Sequence, residues 1–346
     1  MIPMDKQNYM VEQLCRMTSI PSPTGMHEQS TAYLMQELTR LGFQPEQTRK
    51  GTVICCLGGE GHPVLLSAHV DTLGAMIRAI KGNGHIRYTR IGGYDDNTIE
   101  NENVLVHASN GKTYSGTVYN AKASRHVWGD QSSTPRSDEF LEVILDEEVN
   151  SKADVEALGI AVGDFISLNP RTVVTESGYI KSRHLDDKAS SAVLLTLAKE
   201  VAEGKVVLGR KVYIVFTVYE EVGHGASALS KLTDVEDMIA VDMGCVGNDL
   251  TCTETQVSIC AKDSGGPYDA SFVKELVNRC KANGIDYAVD IYPGYGSDAG
   301  AALRAGMEIR FACCGQGVFA SHGYERTHVK GMLGTLALMT DVAQKA

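Results

Sequence analysis

The apolar positions along the chain change period several times. In "QNYMVEQLCRMTSI" and "EQSTAYLMQELTRLGF" they recur three and four apart, the spacing of a helix with one buried face. The first helix is stopped by "PSPTG" and the second ends at Gly42. "GTVICCLGG" and "PVLLSAHVD" are short apolar runs that predict strands. From about Gly74 to Glu176 the texture differs. Short runs such as "HIRYTRIGG", "NVLVHAS", "TYSGTVYN" and "DFISLNP" are separated by turns rich in Gly, Asn and Asp, with one helix near "SKADVEALG". This predicts a small all-β insertion, barrel-like, over residues 74–176.

After "GYIKSRHLDDKAS" helices and strands alternate. "KASSAVLLTLAKEVAEG", "GASALSKL", "DASFVKELVNRCKANGI", "SDAGAALRAG" and "VKGMLGTLALMTDVAQKA" read as helices. "KVYIVFTV", "EDMIAVDMG", "DYAVDIY" and "EIRFACCG" read as strands. That alternation predicts an α/β fold, a mixed and mostly parallel sheet covered by helices in three α/β/α layers. Residues 1–73 and 177–346 form this discontinuous domain, and 74–176 the insertion.

Composition narrows the function. A chain of 346 residues is longer than one ordinary core fills, and 43% hydrophobic residues supply a sizeable one. The net charge of −11 argues against nucleic-acid binding, which needs Lys and Arg gathered on one face. Nine cysteines, an odd number without a C-x-x-C pair, read as reduced thiols in a cytoplasmic protein. The N-terminal segment lacks a signal-peptide core, and no apolar run approaches the ~20 residues that span a bilayer. The expectation is a cytoplasmic chain with no membrane partner.

Chemistry collects where an open α/β sheet places its sites, beyond the carboxyl ends of strands. "PVLLSAHVD" ends in His69 and Asp71, "KVYIVFTVYEE" in Glu220 and Glu221, and "EDMIAVDM" in Asp242. "HLDD" sets Asp186 and Asp187 before a helix, and "FASHGYERTH" offers His322 and His328. Each segment alone is ordinary; an acid pair at a helix start, for example, suits the helix dipole. Together they are the donors of a two-metal hydrolytic site, in which carboxylates and imidazoles hold the ions and a free carboxylate takes a proton from water. Two cations would also offset the repulsion between Glu220 and Glu221. His69 and Asp71 leave the same face of an extended chain, so Asp71 can orient the His69 ring.

"SAHVDTLG", "HLDDKAS", "FTVYEEVG", "AVDMG", "YGSDAGAA" and "ASHGYERTH" stand in the order seen in M42 metallopeptidases, the tetrahedral aminopeptidases, and the chain resembles that family over nearly its whole length. The resemblance implies a zinc-peptidase-like catalytic domain in which His69 and Asp242 hold one metal, Glu221 and His322 the other, and Asp186 bridges both. Glu220 would be the general base, Asp71 would orient His69, and Asp298 would hold the free amine of the substrate. The bond after the bridging aspartate is a cis peptide in related enzymes, which marks Asp186-Asp187. Two departures stand out: Thr72 follows "HVD" where the family usually has glutamate, and "SHGYERTH" replaces an H-S-P-x-E-like segment. His322 is preferred as ligand because it directly follows "GVFAS", with His328 the alternative.

The resemblance further implies two divalent ions per subunit, Zn²⁺ first with Co²⁺ or Mn²⁺ also acceptable. It implies short peptides with a free N-terminus as substrates. It also implies a homo-oligomer, with the insertion building dimers and a dodecamer. Two other readings share the core. A deacylase or carboxypeptidase-type amidohydrolase would need a cationic pocket, for which Arg304, Arg310 and Arg326 are the late-chain arginines near motif segments. A catalytically silent scaffold would keep the fold alone.

Overall fold

A computed structural model describes residues 4–229, 232 and 234–345. The chain divides into two compact units, Met1–Asp71 with Arg171–Ala346, and Thr72–Pro170. In the first unit the sheet runs through Glu46–Gln47, Val53–Gly58, Val212–Thr217, Val64–His69, Asp237–Val241, Arg310–Phe319, Glu325–His328, Tyr179–Ser182 and Val173–Val174. Val257–Asp263 joins on Arg310–Phe319, and Tyr287–Ile291 pairs with Val257–Asp263.

The centre of this sheet is parallel. Val64–His69 pairs with Val212–Thr217 on one side and Asp237–Val241 on the other, and Asp237–Val241 pairs with Arg310–Phe319. Val53–Gly58 pairs antiparallel with Val212–Thr217 and Val257–Asp263 pairs antiparallel with Arg310–Phe319, so the sheet is mixed. Every residue of Val64–His69 is buried, which explains a continuous apolar run where a half-exposed strand would alternate.

Successive residues of the central strands feed different cores, because side chains alternate across a sheet. Leu66, Ile214, Phe216 and Ile239 pack with the helices Met4–Ser19, Glu28–Arg40, Leu185–Ala202 and Val329–Gln344. Leu65, Val215 and Met238 pack on the opposite face with Ala226, Leu229, Ala301 and Ala302. Two covered faces make the three layers expected. Leu185–Ala202 is buried almost all the way round, with Leu194, Leu195 and Leu197 in its core, each contributing about 1.5–3 kcal/mol by leaving water.

The second unit is a closed barrel of Gly74–Ile80, Ile86–Ile91, Leu141–Leu145, Thr113–Asn120, Asn103–His107 and Phe165–Leu168. Its core holds Ile77, Ile86, Val104, Val106, Val118, Val143 and Ile166. Gly116 is fixed by close packing, since a Cβ there would lie 2.7 Å from the Ile144 carbonyl oxygen. The helix Lys152–Ala157 is capped by Ser151, whose hydroxyl accepts from the Asp154 N–H.

Some elements differ from the sequence reading. "GASALSKL" begins as a 3-10 turn, Gly225–Leu229, and its residues 230 and 231 lie outside the described residues. "EIRFACCG" is the first part of a longer strand, Arg310–Phe319, and "VSICAKD" is a strand to which no element was assigned. Among the described residues no helix is long and apolar enough to cross a membrane.

Candidate metal centre

Parallel strands deliver the donors to one edge. His69 ends Val64–His69, level with Thr217 on the adjacent strand, and Asp242 follows Asp237–Val241. Beyond Thr217 the chain turns sharply. Tyr219 and Gly223, both with positive φ, bracket the 3-10 turn Glu220–Val222 and swing both glutamates toward His69. The left-handed conformation suits Gly223 and is uncommon for a tyrosine. His322 also has a positive φ, of 63°, just after Arg310–Phe319.

Asp186 sits at the middle. Its Oδ1 is 2.9 Å from His69 Nε2 and its Oδ2 is 3.4 Å from His322 Nε2. His322 Nε2 also lies 3.6 Å from Glu221 Oε2, and His69 Nε2 lies 3.7 Å from Glu220 Oε2. Two donor groups result: His69, Asp186 and Glu221, and His69, Asp187 and Asp242, each with ligand atoms within 4.8 Å of one another. The Asp186-Asp187 peptide bond is cis.

The Asp71 carboxylate is 3.7 Å from His69 Nδ1, while the Asp71 carbonyl oxygen is nearer, at 3.0 Å. The carboxylate itself accepts from the Thr24 hydroxyl at 2.6 Å and from the N–H groups of Glu220 and Glu221 at 3.1 and 3.4 Å. Asp71 therefore fixes the turn that carries both glutamates. Asp298 lies under the same turn, where its carboxylate accepts from Thr217 Oγ1 at 2.5 Å and Ala226 N at 2.7 Å, and it does not line the cavity. His328 is committed elsewhere. Its Nδ1 accepts from Lys330 N, so its Nε2 donates to the Ser177 carbonyl, each at 2.9 Å.

Two residues to which the family resemblance gave no ligand role belong to the cluster. Asp187 joins the second donor group. Glu325 is buried and accepts from the N–H groups of Asp186 and His322 at 3.1 and 3.0 Å. The His322-x-x-Glu325 spacing was the available signal for the second.

Burial, joined by neighbouring negative charge, pushes Glu220, Glu221 and Asp187 well above the usual carboxylate range and Asp242 up to about 7. Burial also acts to raise Asp186, but its hydrogen bonds to His322 and His69 overcome that and hold it low. Burial pulls the His69 imidazole down, yet Asp186, Glu220 and Asp242 outweigh it and raise it well above the ordinary value. So many acids in one buried place need cations or protons. Glu221 Oε1 and Asp187 Oδ1 are buried with no hydrogen-bond partner, an arrangement that is costly unless something charged meets them. Imidazole nitrogen and carboxylate oxygen are the donors that zinc-like divalent ions take. The residues present fit such ions.

The cluster opens into a cavity of about 720 Å³. Met243, Leu250, Tyr292 and Tyr295 give it an apolar and aromatic wall. Burial holds the Tyr295 phenol well above its usual pKa, so it stays protonated, and it donates to the Met243 carbonyl at 3.0 Å. Of the three arginines singled out, Arg310 pairs with Asp237 and Glu275, Arg326 pairs with Glu254, and Arg304 lines the cavity.

A discontinuous α/β unit, an inserted barrel and a buried carboxylate–histidine cluster at strand ends define a metallohydrolase architecture. Residues 51–338 match the M42 glutamyl aminopeptidase family, and the chain belongs to that family of peptide hydrolases. Membership implies divalent metal binding. Among relatives, the candidate aminopeptidase YhfE of Bacillus subtilis (strain 168) is 41% identical over 331 residues, 95% of each chain. The glutamyl aminopeptidase of Lactococcus lactis subsp. cremoris (strain MG1363) is 24% identical, covering 67% of this chain and 66% of its own. The fold is shared with the aminopeptidase APDkam598 of Desulfurococcus kamchatkensis (TM-score 0.88, 20% identity, 98% and 96% coverage). It is shared too with the TET1 peptidase of Pyrococcus horikoshii, described as assembling into a tetrahedron or a large octahedral shell (TM-score 0.85, 23% identity, 97% and 100% coverage).

Proposed function

We propose that this chain removes N-terminal residues from short peptides using two divalent ions. His69 and Asp242 would hold one ion, Glu221 and His322 the other, and Asp186 would stand between them. The observation that carries this is the placement of Asp186, whose two oxygens face two different imidazoles, His69 and His322. Zn²⁺ is the first choice, and Co²⁺ or Mn²⁺ suit the same donors. Ions held there supply Lewis acidity, polarising the scissile carbonyl and easing deprotonation of a water.

The chain's own groups do the rest. Glu220 takes the proton of the attacking water as the C–O bond forms, and passes it to the amine that leaves as the C–N bond breaks. Asp71, with Thr24 behind it, holds the Glu220 and Glu221 backbone in place for this. The wall of Met243, Leu250, Tyr292 and Tyr295 receives the side chain of the residue to be removed, and excludes water from it.

The test is hydrolysis of an aminoacyl-p-nitroanilide panel by the metal-reconstituted protein, with N-acetylated versions alongside. Only free-amine substrates should be cleaved, and Glu220→Gln should lower kcat by about 10²–10⁴-fold. Cleavage confined to acetylated substrates, or none of any free-amine substrate with two ions confirmed bound, overturns the reading.

The oligomeric reading is also a proposal. The barrel unit would carry contacts between subunits, a reading supported by the assembling TET1 neighbour. Light scattering should give several times the 37.3 kDa of one chain, and a mass near one chain would refute it. All nine cysteines are free thiols, which supports a reducing, cytoplasmic setting.

A further inference from the structure

Among the described residues, the cavity beside the cluster is lined by five carboxylates, Asp186, Glu220, Glu221, Asp242 and Asp249, and by a single Lys or Arg side chain, Arg304. Arg304 ends the helix Asp298–Arg304. Its guanidinium reaches the Gly223 carbonyl at 3.5 Å, and among the described residues it has no carboxylate within ion-pair distance. Arg310 and Arg326, by contrast, both have carboxylate partners. A guanidinium is built to grip a carboxylate with two parallel N–H donors. Here the protein leaves that capacity unused at the mouth of its substrate cavity.

The position of Arg304 says which carboxylate it meets. Gly223 closes the turn that carries Glu220 and Glu221, so Arg304 stands on the side of the catalytic turn. The apolar wall comes from other segments, residues 243–250 and 292–295. Under the aminopeptidase reading the bond to be cut lies at Glu220, so a peptide whose N-terminal side chain rests on that wall would continue past the turn that carries Glu220, the side on which Gly223 and Arg304 stand. A volume of about 720 Å³ falls in the range of small-ligand pockets, about 300–1,000 Å³, so the cavity suits a few residues and not a long chain.

We propose that Arg304 binds the C-terminal carboxylate of a short peptide, which makes free-acid di- and tripeptides the preferred substrates. This rests on the aminopeptidase reading of the same site. Cleavage removes the residue at the amino end, while Arg304 anchors the other end and acts mainly on substrate binding.

The experiment compares Leu-Gly with Leu-Gly-amide, and Glu-Gly-amide with Leu-Gly-amide, for the wild type, Arg304→Gln and Arg304→Lys. The wild type should favour Leu-Gly over its amide by about tenfold or more in kcat/KM, because a site made for a charged group discriminates against the analogue that lacks it. Arg304→Gln should bring that ratio close to one, with the loss in KM, and Arg304→Lys should recover part of it. A second arm measures calorimetric affinity for the same peptides in Glu220→Gln protein, with and without Arg304→Gln, so that binding is read without turnover. A wild-type ratio near one, or the same ratio in Arg304→Gln, overturns the proposal. A preference for Glu-Gly-amide that vanishes in Arg304→Gln also overturns it, assigning Arg304 to an acidic first side chain. Loss of hydrolysis with calorimetric discrimination intact would sink the aminopeptidase reading and leave the role of Arg304 standing.

Discussion

Glu325 shows how much of the centre depends on groups that touch no substrate. One of its oxygens accepts from Asp186 N and the other from His322 N, so one buried carboxylate sets the backbone under two expected ligands. Replacing it with glutamine leaves one acceptor and puts an amide donor against an N–H. Glu325→Gln should therefore lower metal affinity or activity by about 10–100-fold, the usual cost of disturbing what orients a ligand, while the fold persists. Metal content after dialysis and kcat measure this, and unchanged values of both would remove Glu325 from the centre. The direct donors were legible in the sequence because a metal needs particular side chains at strand ends. Glu325 had only the His322-x-x-Glu325 spacing to mark it, because its work is done on backbone N–H groups, which any sequence provides. Asp298 illustrates the reverse. A motif carboxylate expected at the substrate has both its oxygens occupied beneath the Glu220–Val222 turn.

At the level of elements, the strands that present the donors are tied together at their other ends. Asp237 opens the strand that leads to Asp242, and Arg310 opens Arg310–Phe319. Arg310 Nε donates to Asp237 Oδ1 at 2.7 Å, and Arg210, buried just before Val212–Thr217, donates to Asp237 Oδ2 at 2.8 Å. Burial alone would raise the Asp237 carboxyl, but Arg310 and Arg210 prevail and hold it below the usual range. A carboxyl with a lowered folded-state pKa contributes stability that is present above its unfolded value, about 3.9, and is lost as pH falls through the folded one. Asp237→Asn should thus cost about 3–5 kcal/mol near pH 7, because Arg210 is left buried without its partner. The gap to wild type should narrow as pH drops below about 4. Urea denaturation across pH reads both effects, and a gap independent of pH would contradict the assignment. Legibility at this scale followed burial. Strands with both faces covered, such as Val64–His69, stood out as apolar runs. Val257–Asp263 carries Ser258, Lys262 and Asp263 among its seven residues, and its place is set by antiparallel pairing with a strand some fifty positions away, which no local period encodes.

For the molecule as a whole, the donors all belong to the α/β unit, while the barrel has its own core and supplies none of them. The chain carries a net charge of −11, so two kinds of electrostatic stabilisation by cations have to be separated. Diffuse repulsion among surface charges is screened by any salt, with a Debye length of about 8 Å at 0.15 M ionic strength. The buried carboxylates of the centre are beyond that screening, and only ions that enter and are ligated can compensate them. Ions that bind the folded chain and not the unfolded one stabilise by mass action, about 4 kcal/mol at a thousand times Kd. Micromolar Zn²⁺, Co²⁺ or Mn²⁺ added to chelator-treated protein should therefore raise Tm by several degrees, and 0.15 M NaCl should not reproduce the rise. Asp186→Asn, which removes the carboxylate between the two imidazoles, should abolish most of the divalent effect while leaving the response to NaCl intact. Scanning calorimetry on both proteins decides it. An equal rise with NaCl, or a full divalent response in Asp186→Asn, would mean that the cations act on the overall charge and that the buried cluster is held by protons instead.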